Sequence, residues 1–363
     1  MMNSDVKRVV VKYNTHTVGY LASTDNDDIF FQYDLEWIAH GFSISPFSLP
    51  LDSKVYQYFV GLYGVFYDSL PDGWGDFLVR RMLRTKGINF DKLSPLTRLT
   101  LIGKNGLGGL VYEPDQKYED IKADQDLDEL SNEVDKILAD QNYVPDLDFI
   151  FAYGGASGGA RPKAHLILNH EEWIVKFPSM MDSKDSGLME YNTNKLAYQS
   201  GIHVNEFKLF PSKKCAGYFG AKRFDRTKNG RVHMISLAGL LETTHRIPNL
   251  DYGHLFQVIQ KICVDKSDLY EAYRRMCFNV LFQNKDDHGK NFSFLYDEQK
   301  KGYVLSPAYD MTQTLDKLEH EMTVLGNANP NEKDLLNFAK EMNLSVHVCE
   351  DIIAQIKEQI INR

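Results

Sequence analysis

Three oxygen-bearing side chains, Asp286, Asn291 and Asp310, follow one another in the order that phosphoryl transfer from a magnesium nucleotide uses. In a kinase catalytic loop one Asp accepts the proton of the attacking hydroxyl. An Asn four intervening residues further on holds a metal ion, and a later Asp holds metal again. The run NKDDHGKN, Asn284 to Asn291, and the downstream YVLSPAYDMT fill those places. Counting back from Asn291 lands on Asp286, whereas Asp287 stands one residue too close, so Asp286 is the candidate base.

Such residues need elements to position them. From Leu269 the residues Tyr273, Met276, Cys277, Val280 and Leu281 recur at helical intervals, with Ser267 or Asp268 available as N-cap, which predicts a helix stopping near Asn284. NFSFLYD and GYVLSPAYD read as two short strands joined by the polar turn EQKKG. That hairpin returns Asp310 toward Asn291, where two oxygen ligands, water and phosphate oxygens could complete a Mg²⁺ shell.

A second stretch, YGGASGGARPKAHLILNHEEWIVKFP, carries Gly154, Gly155, Gly158 and Gly159 around Ala156 and Ser157. Glycines turn the backbone tightly and bring N–H groups close to phosphate oxygens. GASGG also satisfies the G-x-S-x-G nucleophile elbow, with Ser157 as nucleophile, but that motif needs strand, sharp turn and helix. Here Pro162 follows closely and AHLIL, NHEE and WIVKF read as strand, turn, strand, which favours a nucleotide loop. Lys176 ends the second of these strands, where a kinase lysine reaches the α/β-phosphates. Glu190 opens a helix, LMEYNTNKLAYQSG, that can supply the acid fixing it; Met189 and Leu196 are expected to share a face of that helix and Gly201 to end it.

At 363 residues, 43% hydrophobic and 25% charged, the composition is that of an ordinary folded protein with room for two or three domains. No apolar run reaches membrane-spanning length and MMNSDVKRVV lacks a secretory core, so no membrane and a cytoplasmic location are expected. Cys215, Cys263, Cys277 and Cys349 form no C-x-x-C pair and read as reduced thiols, with Cys277 in the core. A net charge of −9 argues against direct nucleic-acid binding. Arg80, Arg81, Arg84 and Lys86 in LVRRMLRTKG read as a solvated helix face. No G-x-x-x-x-G-K-[ST], G-x-G-x-x-G or H-E-x-x-H is present, and no H-x-H pair supports a dinuclear hydrolase at His288.

The organisation expected is α+β: an N-terminal α+β domain over 1–115, a connecting helix over 116–145 whose apolar stripe is Leu127, Leu130, Val134, Ile137 and Leu138, then a two-lobed protein-kinase-like domain. Its small β-rich lobe would run over 146–226 and its larger helical lobe over 227–363. LPDGWG, Leu70 to Gly75, has turn chemistry with Trp74 as an anchor and suggests packing.

Taken in order, SISPFSLPL, LPDGWG, GLGGLVYEP, GGASGGARPKA, WIVKFP, AKRFDR, ISLAGLL, NKDDHGKNFSF and LSPAYDMT resemble the HipA family of bacterial serine/threonine kinase toxins over most of the chain. The resemblance implies Asp286 as catalytic base, Asn291 and Asp310 as Mg²⁺ ligands, and Lys176 on the ATP phosphates. It also implies Gly155, Ala156, Ser157, Gly158, Gly159 and Lys163 in the phosphate loop, and Lys222 to Phe224 near the adenine, with Glu190, His288 and Lys290 at the nucleotide. It implies a serine-containing protein substrate, often an aminoacyl-tRNA synthetase, and a small helix-turn-helix antitoxin through which alone DNA is reached. Ser157 becomes the candidate for autophosphorylation. DMT stands where ordinary kinases have DFG, so their activation-loop behaviour is not carried over. The alternative reading, from another class, is a catalytically weak nucleotide-binding regulatory subunit that docks a DNA-binding antitoxin.

Overall fold

Alternating Val9, Val11 and Tyr13 turn one face of β1 (Arg8–Tyr13) inward, and the same period-two pattern recurs along β3 (Ile29–Tyr33); in β2 (His16–Ser23) it is broken, with Val18, Gly19 and Leu21 buried where the register against β1 shifts. With β4 (Val55–Tyr58) and β5 (Leu110–Glu113) they form an antiparallel sheet in the order β4-β3-β2-β1-β5. RVVVKY, TVGYL, DIFFQY and GLGGLVYEP, strand-like runs in the sequence, supply β1, β2, β3 and β5, while β4 answers to none of them. The computed structural model describes residues 5–26, 28–58, 61–116, 124–140, 142–143, 159–180, 182–244 and 247–363. The chain divides into two units, Met1–Leu188 with Phe207–Ile235, and Met189–Glu206 with Ser236–Arg363.

The first unit holds a second antiparallel sheet, order β6-β7-β9-β8, from β6 (Lys163–Leu168), β7 (Glu171–Lys176), β8 (Phe207–Phe210) and β9 (Tyr218–Lys222). Asn169 and His170 take positive φ in the β6–β7 turn, as short polar turn residues tolerate. The helix Leu127–Ala139, within the segment expected to connect domains, buries Leu130, Val134 and Ile137 in one cluster with Trp74, Leu78, Trp173 and Tyr218. The arginine-rich helix Gly73–Thr85 departs from its solvated reading: Arg81 is buried and donates to the carbonyls of Ile137, at 2.5 Å, and Asp140. Those are orphan acceptors at a helix C-terminus, which a guanidinium satisfies well.

AKRFDR joins the two sheets of this unit. Arg223 Nη2 donates to Gly106 O at 3.0 Å, Arg226 Nη1 to Gly108 O at 2.8 Å, and Asp225 accepts from Gly108 N at 2.6 Å and from Arg223 at 2.7 Å. Burial opposes the Asp225 charge, but Arg223 and Arg226 outweigh it and hold the carboxyl well below its ordinary range. Burial, and next the Arg223 charge, push His165 far down, so it stays neutral beside Arg223.

In the second unit the helix Asp268–Phe282 packs against Tyr252–Ile262, Glu332–Glu341 and Val346–Ile361. It stops as predicted, with Gln283 in the left-handed region at φ 60°. Cys277 is buried in it, and all four thiols are free. Ser293–Asp297 and Gly302–Leu305 form the predicted hairpin. Gly201, at φ 79°, ends the helix Ser186–Gln199 with Ile202 N donating to Ala197 O at 3.1 Å. Of Met189 and Leu196 only Leu196 is buried, in a stripe with Glu190, Thr193, Asn194 and Ala197, while Met189 is exposed. Among the described residues no helix is long and apolar enough to cross a membrane.

Candidate active site

Each residue of the run NKDDHGKN has a distinct task in the second unit. Asn284 Nδ2 donates to Asn279 Oδ1 at 2.9 Å, tying the loop to the helix before it. Asp287 is buried and is the anchor. Its carboxylate accepts from Tyr252 Oη at 2.7 Å and Glu321 N at 3.0 Å, and lies 2.9 Å from His320 Nδ1. Burial first, and the Asp287 charge second, push the Tyr252 phenol far up, so it remains a donor. Asp286 faces the other way, with its side chain 40% exposed against 0% for Asp287. His288 caps the short turn Gly289–Asn291 by accepting from Lys290 N at 3.3 Å. A Cβ at Gly289 would lie 2.5 Å from the end of the Leu250 side chain, so a larger residue there has to displace it.

Asn291 Nδ2 donates to Asp286 O at 2.7 Å, which leaves its carboxamide oxygen for a cation. Asp310 is brought to the same loop through its neighbour: Tyr309 Oη donates to Lys290 O at 2.5 Å and lies 2.6 Å from Ser293 Oγ. Asp310 itself takes φ 53°, a conformation non-glycine residues adopt at a cost and that gathers at functional sites. The segment after it is stitched back as well. Lys285 Nζ donates to Lys317 O at 3.0 Å, Thr314 Oγ1 accepts from Lys285 N at 2.6 Å, and Lys317 Nζ reaches Asp286 Oδ1.

In the first unit Lys163 and Lys176 stand directly opposite one another on β6 and β7 and so share a face of the sheet. Like charges in that position are unfavourable by themselves. Gly159, at φ 79°, lies so close to Lys163 Nζ that an added Cβ would sit 2.8 Å from it. The LPDGWG turn holds that glycine: Gly159 N donates to Asp72 Oδ1 at 2.5 Å and Trp74 N to Gly159 O at 2.8 Å. Gly154, Gly155, Ala156, Ser157 and Gly158 lie outside the described residues. Lys222 ends β9 and pairs with Glu171, and Phe224 follows within AKRFDR. Glu190 belongs to the second unit and is buried.

LPDGWG packs as its turn chemistry suggests, but that Asp72 and Trp74 hold Gly159 was not legible in it. Lys317, Glu321, His320 and Tyr252 around the acidic pair lie in none of the runs that the sequence singles out. Among the described residues no three His, Cys, Asp or Glu side chains gather as a metal cage. A carboxamide oxygen and one carboxylate instead suit a hard cation that keeps water and takes substrate phosphates as its remaining ligands, as Mg²⁺ does.

Two family models match the chain, the HipA N-terminal domain over residues 9–113 and the HipA-like C-terminal domain over residues 155–363. The chain belongs to the HipA family. It is similar to "Putative kinase Y4dM" of Sinorhizobium fredii, 29% identical over 52% of this chain and 50% of that protein. It is also similar to the serine/threonine-protein kinase CtkA of Helicobacter pylori, 24% identical over 46% of this chain and 55% of that one. The chain thus spans about half the length of these curated relatives. Its fold is shared with HipA of Shewanella oneidensis MR-1, solved with HipB and operator DNA. The TM-score is 0.73 at 19% identity, covering 97% of this chain and 88% of that one.

Proposed function

We propose that this chain is an ATP- and Mg²⁺-dependent protein serine/threonine kinase and the toxin of a bacterial toxin–antitoxin pair. The observation that carries this reading is the opposite treatment of two adjacent carboxylates: Asp287 is consumed as an anchor, while Asp286 is left accessible with Asn291 tied to its backbone. In this role Asp286 accepts the serine hydroxyl proton. Asn291 and Asp310 hold Mg²⁺, which when bound neutralises charge on the transferring phosphoryl group. The glycine loop of Gly155 to Gly159, with Lys163 and Lys176, takes the nucleotide phosphates, and Glu190 is a further residue assigned to the nucleotide. Lys222 and Phe224 border the adenine, and His288 and Lys290 shape the loop beneath the phosphates.

The protein substrate would carry the serine, with an aminoacyl-tRNA synthetase as one class, and the setting would be the cytoplasm. The antitoxin proposed is a small helix-turn-helix protein. The Shewanella HipA structure, which contains HipB and operator DNA, supports it, as does the net charge of −9, which leaves DNA contact to the partner. A phosphate on Ser157 would add up to about −2 charge where nucleotide phosphates sit and so switch the kinase off. Incubating the chain with γ-labelled ATP, Mg²⁺ and a bacterial lysate tests the reading: label on a serine of a second protein supports it. Nucleotide binding without any transfer would instead leave a scaffold that docks an antitoxin.

A further inference from the structure

The segment after Asp310 places one side chain that none of the roles above uses. Lys317 Nζ lies 2.5 Å from Asp286 Oδ1 and 2.7 Å from Glu321 Oε1. An ammonium has three donors and no acceptor. Two of them point at carboxylates, and the third remains for one more oxygen. Burial works against the charge, but the hydrogen bonds to Asp286 and then Glu321 outweigh it and raise the Lys317 pKa, so the group is a cation at neutral pH. Its placement is built in from both sides. Lys285 Nζ donates to the carbonyls of Lys317 and Leu318 at 3.0 and 3.3 Å, while Glu321 N donates to Asp287 Oδ1 at 3.0 Å and to Lys285 O at 3.3 Å. The run that carries the candidate base thus fixes both the backbone of the lysine and the acid that orients it.

Resting on the kinase reading, we propose that Lys317 is a further catalytic residue, its ammonium touching the transferring phosphoryl group beside Asp286, with Glu321 as its positioning residue. The serine oxygen that delivers its proton to Asp286 is the atom that attacks phosphorus. A cation hydrogen-bonded to that carboxylate therefore stands next to the equatorial oxygens of the group in flight. The oxygen–phosphorus bond to serine forms as the bond to the β-phosphate oxygen breaks, ADP departs with that electron pair, and the serine proton passes to Asp286. Lys317 exchanges no proton and contributes only charge. In a loose transition state, with charge spread over three equatorial oxygens, a preorganised donor is among the larger contributions a protein can make. The rival meaning of the same contact is an inhibitory lock, in which the ammonium covers the base, and the two differ in sign.

Wild type, Lys317→Met, Lys317→Arg and Glu321→Gln are compared in steady-state transfer of labelled phosphate to the same protein serine. Lys317→Met is expected to lower kcat by about 10²-fold while KM for ATP stays within about twofold, since the interaction is made in the transition state. Lys317→Arg restores part of the rate, Glu321→Gln falls between the two, and stabilisation by ATP and Mg²⁺ in thermal melts is the same in all four. A kcat for Lys317→Met equal to or above wild type overturns the proposal. A rise in KM for ATP matching the loss of rate also overturns it, because it marks a role in binding or folding. Absence of transfer by wild type removes the kinase reading and this proposal together, which separates the two failures.

Discussion

In the first unit two lysines, Lys163 and Lys176, stand directly opposite one another on adjoining strands. In the second, two carboxylates, Asp286 and Asp287, adjoin in sequence and turn apart. The lysine pair keeps like charges on one face, an arrangement unfavourable by itself. The carboxylate pair avoids the same conflict by dividing its surroundings: Tyr252, His320 and the Glu321 backbone take Asp287, and Asp286 keeps its accessibility. Within the acidic pair, the charge spent on the fold is told from its exposed neighbour by counting donors.

The comparison is broken most forcefully from the lysine side. Lys163→Met and Lys176→Met should each lower phosphate transfer by about 10²–10³-fold with a higher KM for ATP, and unaltered kinetics would mean the opposed lysines face no nucleotide. A titratable group that the fold buries in its neutral form can be probed at His233, which is 2.9 Å from Ile44 O. Burial lowers its pKa to about 4, with the bond to Ile44 working the other way. The folded value lies below the unfolded one, so its contribution is complete above about pH 6.5 and is lost as pH falls toward 4. That loss amounts to about 3 kcal/mol. Urea melts at pH 7.5 and 4.5 should show His233→Gln less sensitive to acid than wild type, and equal sensitivity would remove the histidine from the acid response. Smaller still is Gly73→Ala. At φ 47° and against the Gly159 carbonyl it should cost about 1–3 kcal/mol, read as a lower melting temperature, and a neutral result would show that the turn does not brace the loop.

What could be read in the sequence was local. The helix ending at Phe282, the hairpin around EQKKG and the strands on either side of NHEE follow from periodicity and turn residues within a few positions of each other. What could not be read depends on partners far along the chain. Asp72 meets Gly159 across 87 positions. Arg81 looked solvated because the carbonyls it satisfies belong to the end of another helix. Met189 and Leu196 are expected on one face from their spacing, yet only Leu196 is buried, beside Ala197 and the polar Glu190, Thr193 and Asn194, and Met189 is exposed. Lys317 carries no motif and is tied to Asp286 by the path of the segment after Asp310.

The division of labour within the acidic pair is tested most directly by measuring phosphate transfer and melting temperature side by side for Asp286→Asn and Asp287→Asn. Asp286→Asn should melt like wild type and lose transfer by about 10²–10⁴-fold, while Asp287→Asn should melt markedly lower because its buried donors lose their carboxylate. Full transfer by a folded Asp286→Asn would contradict the assignment.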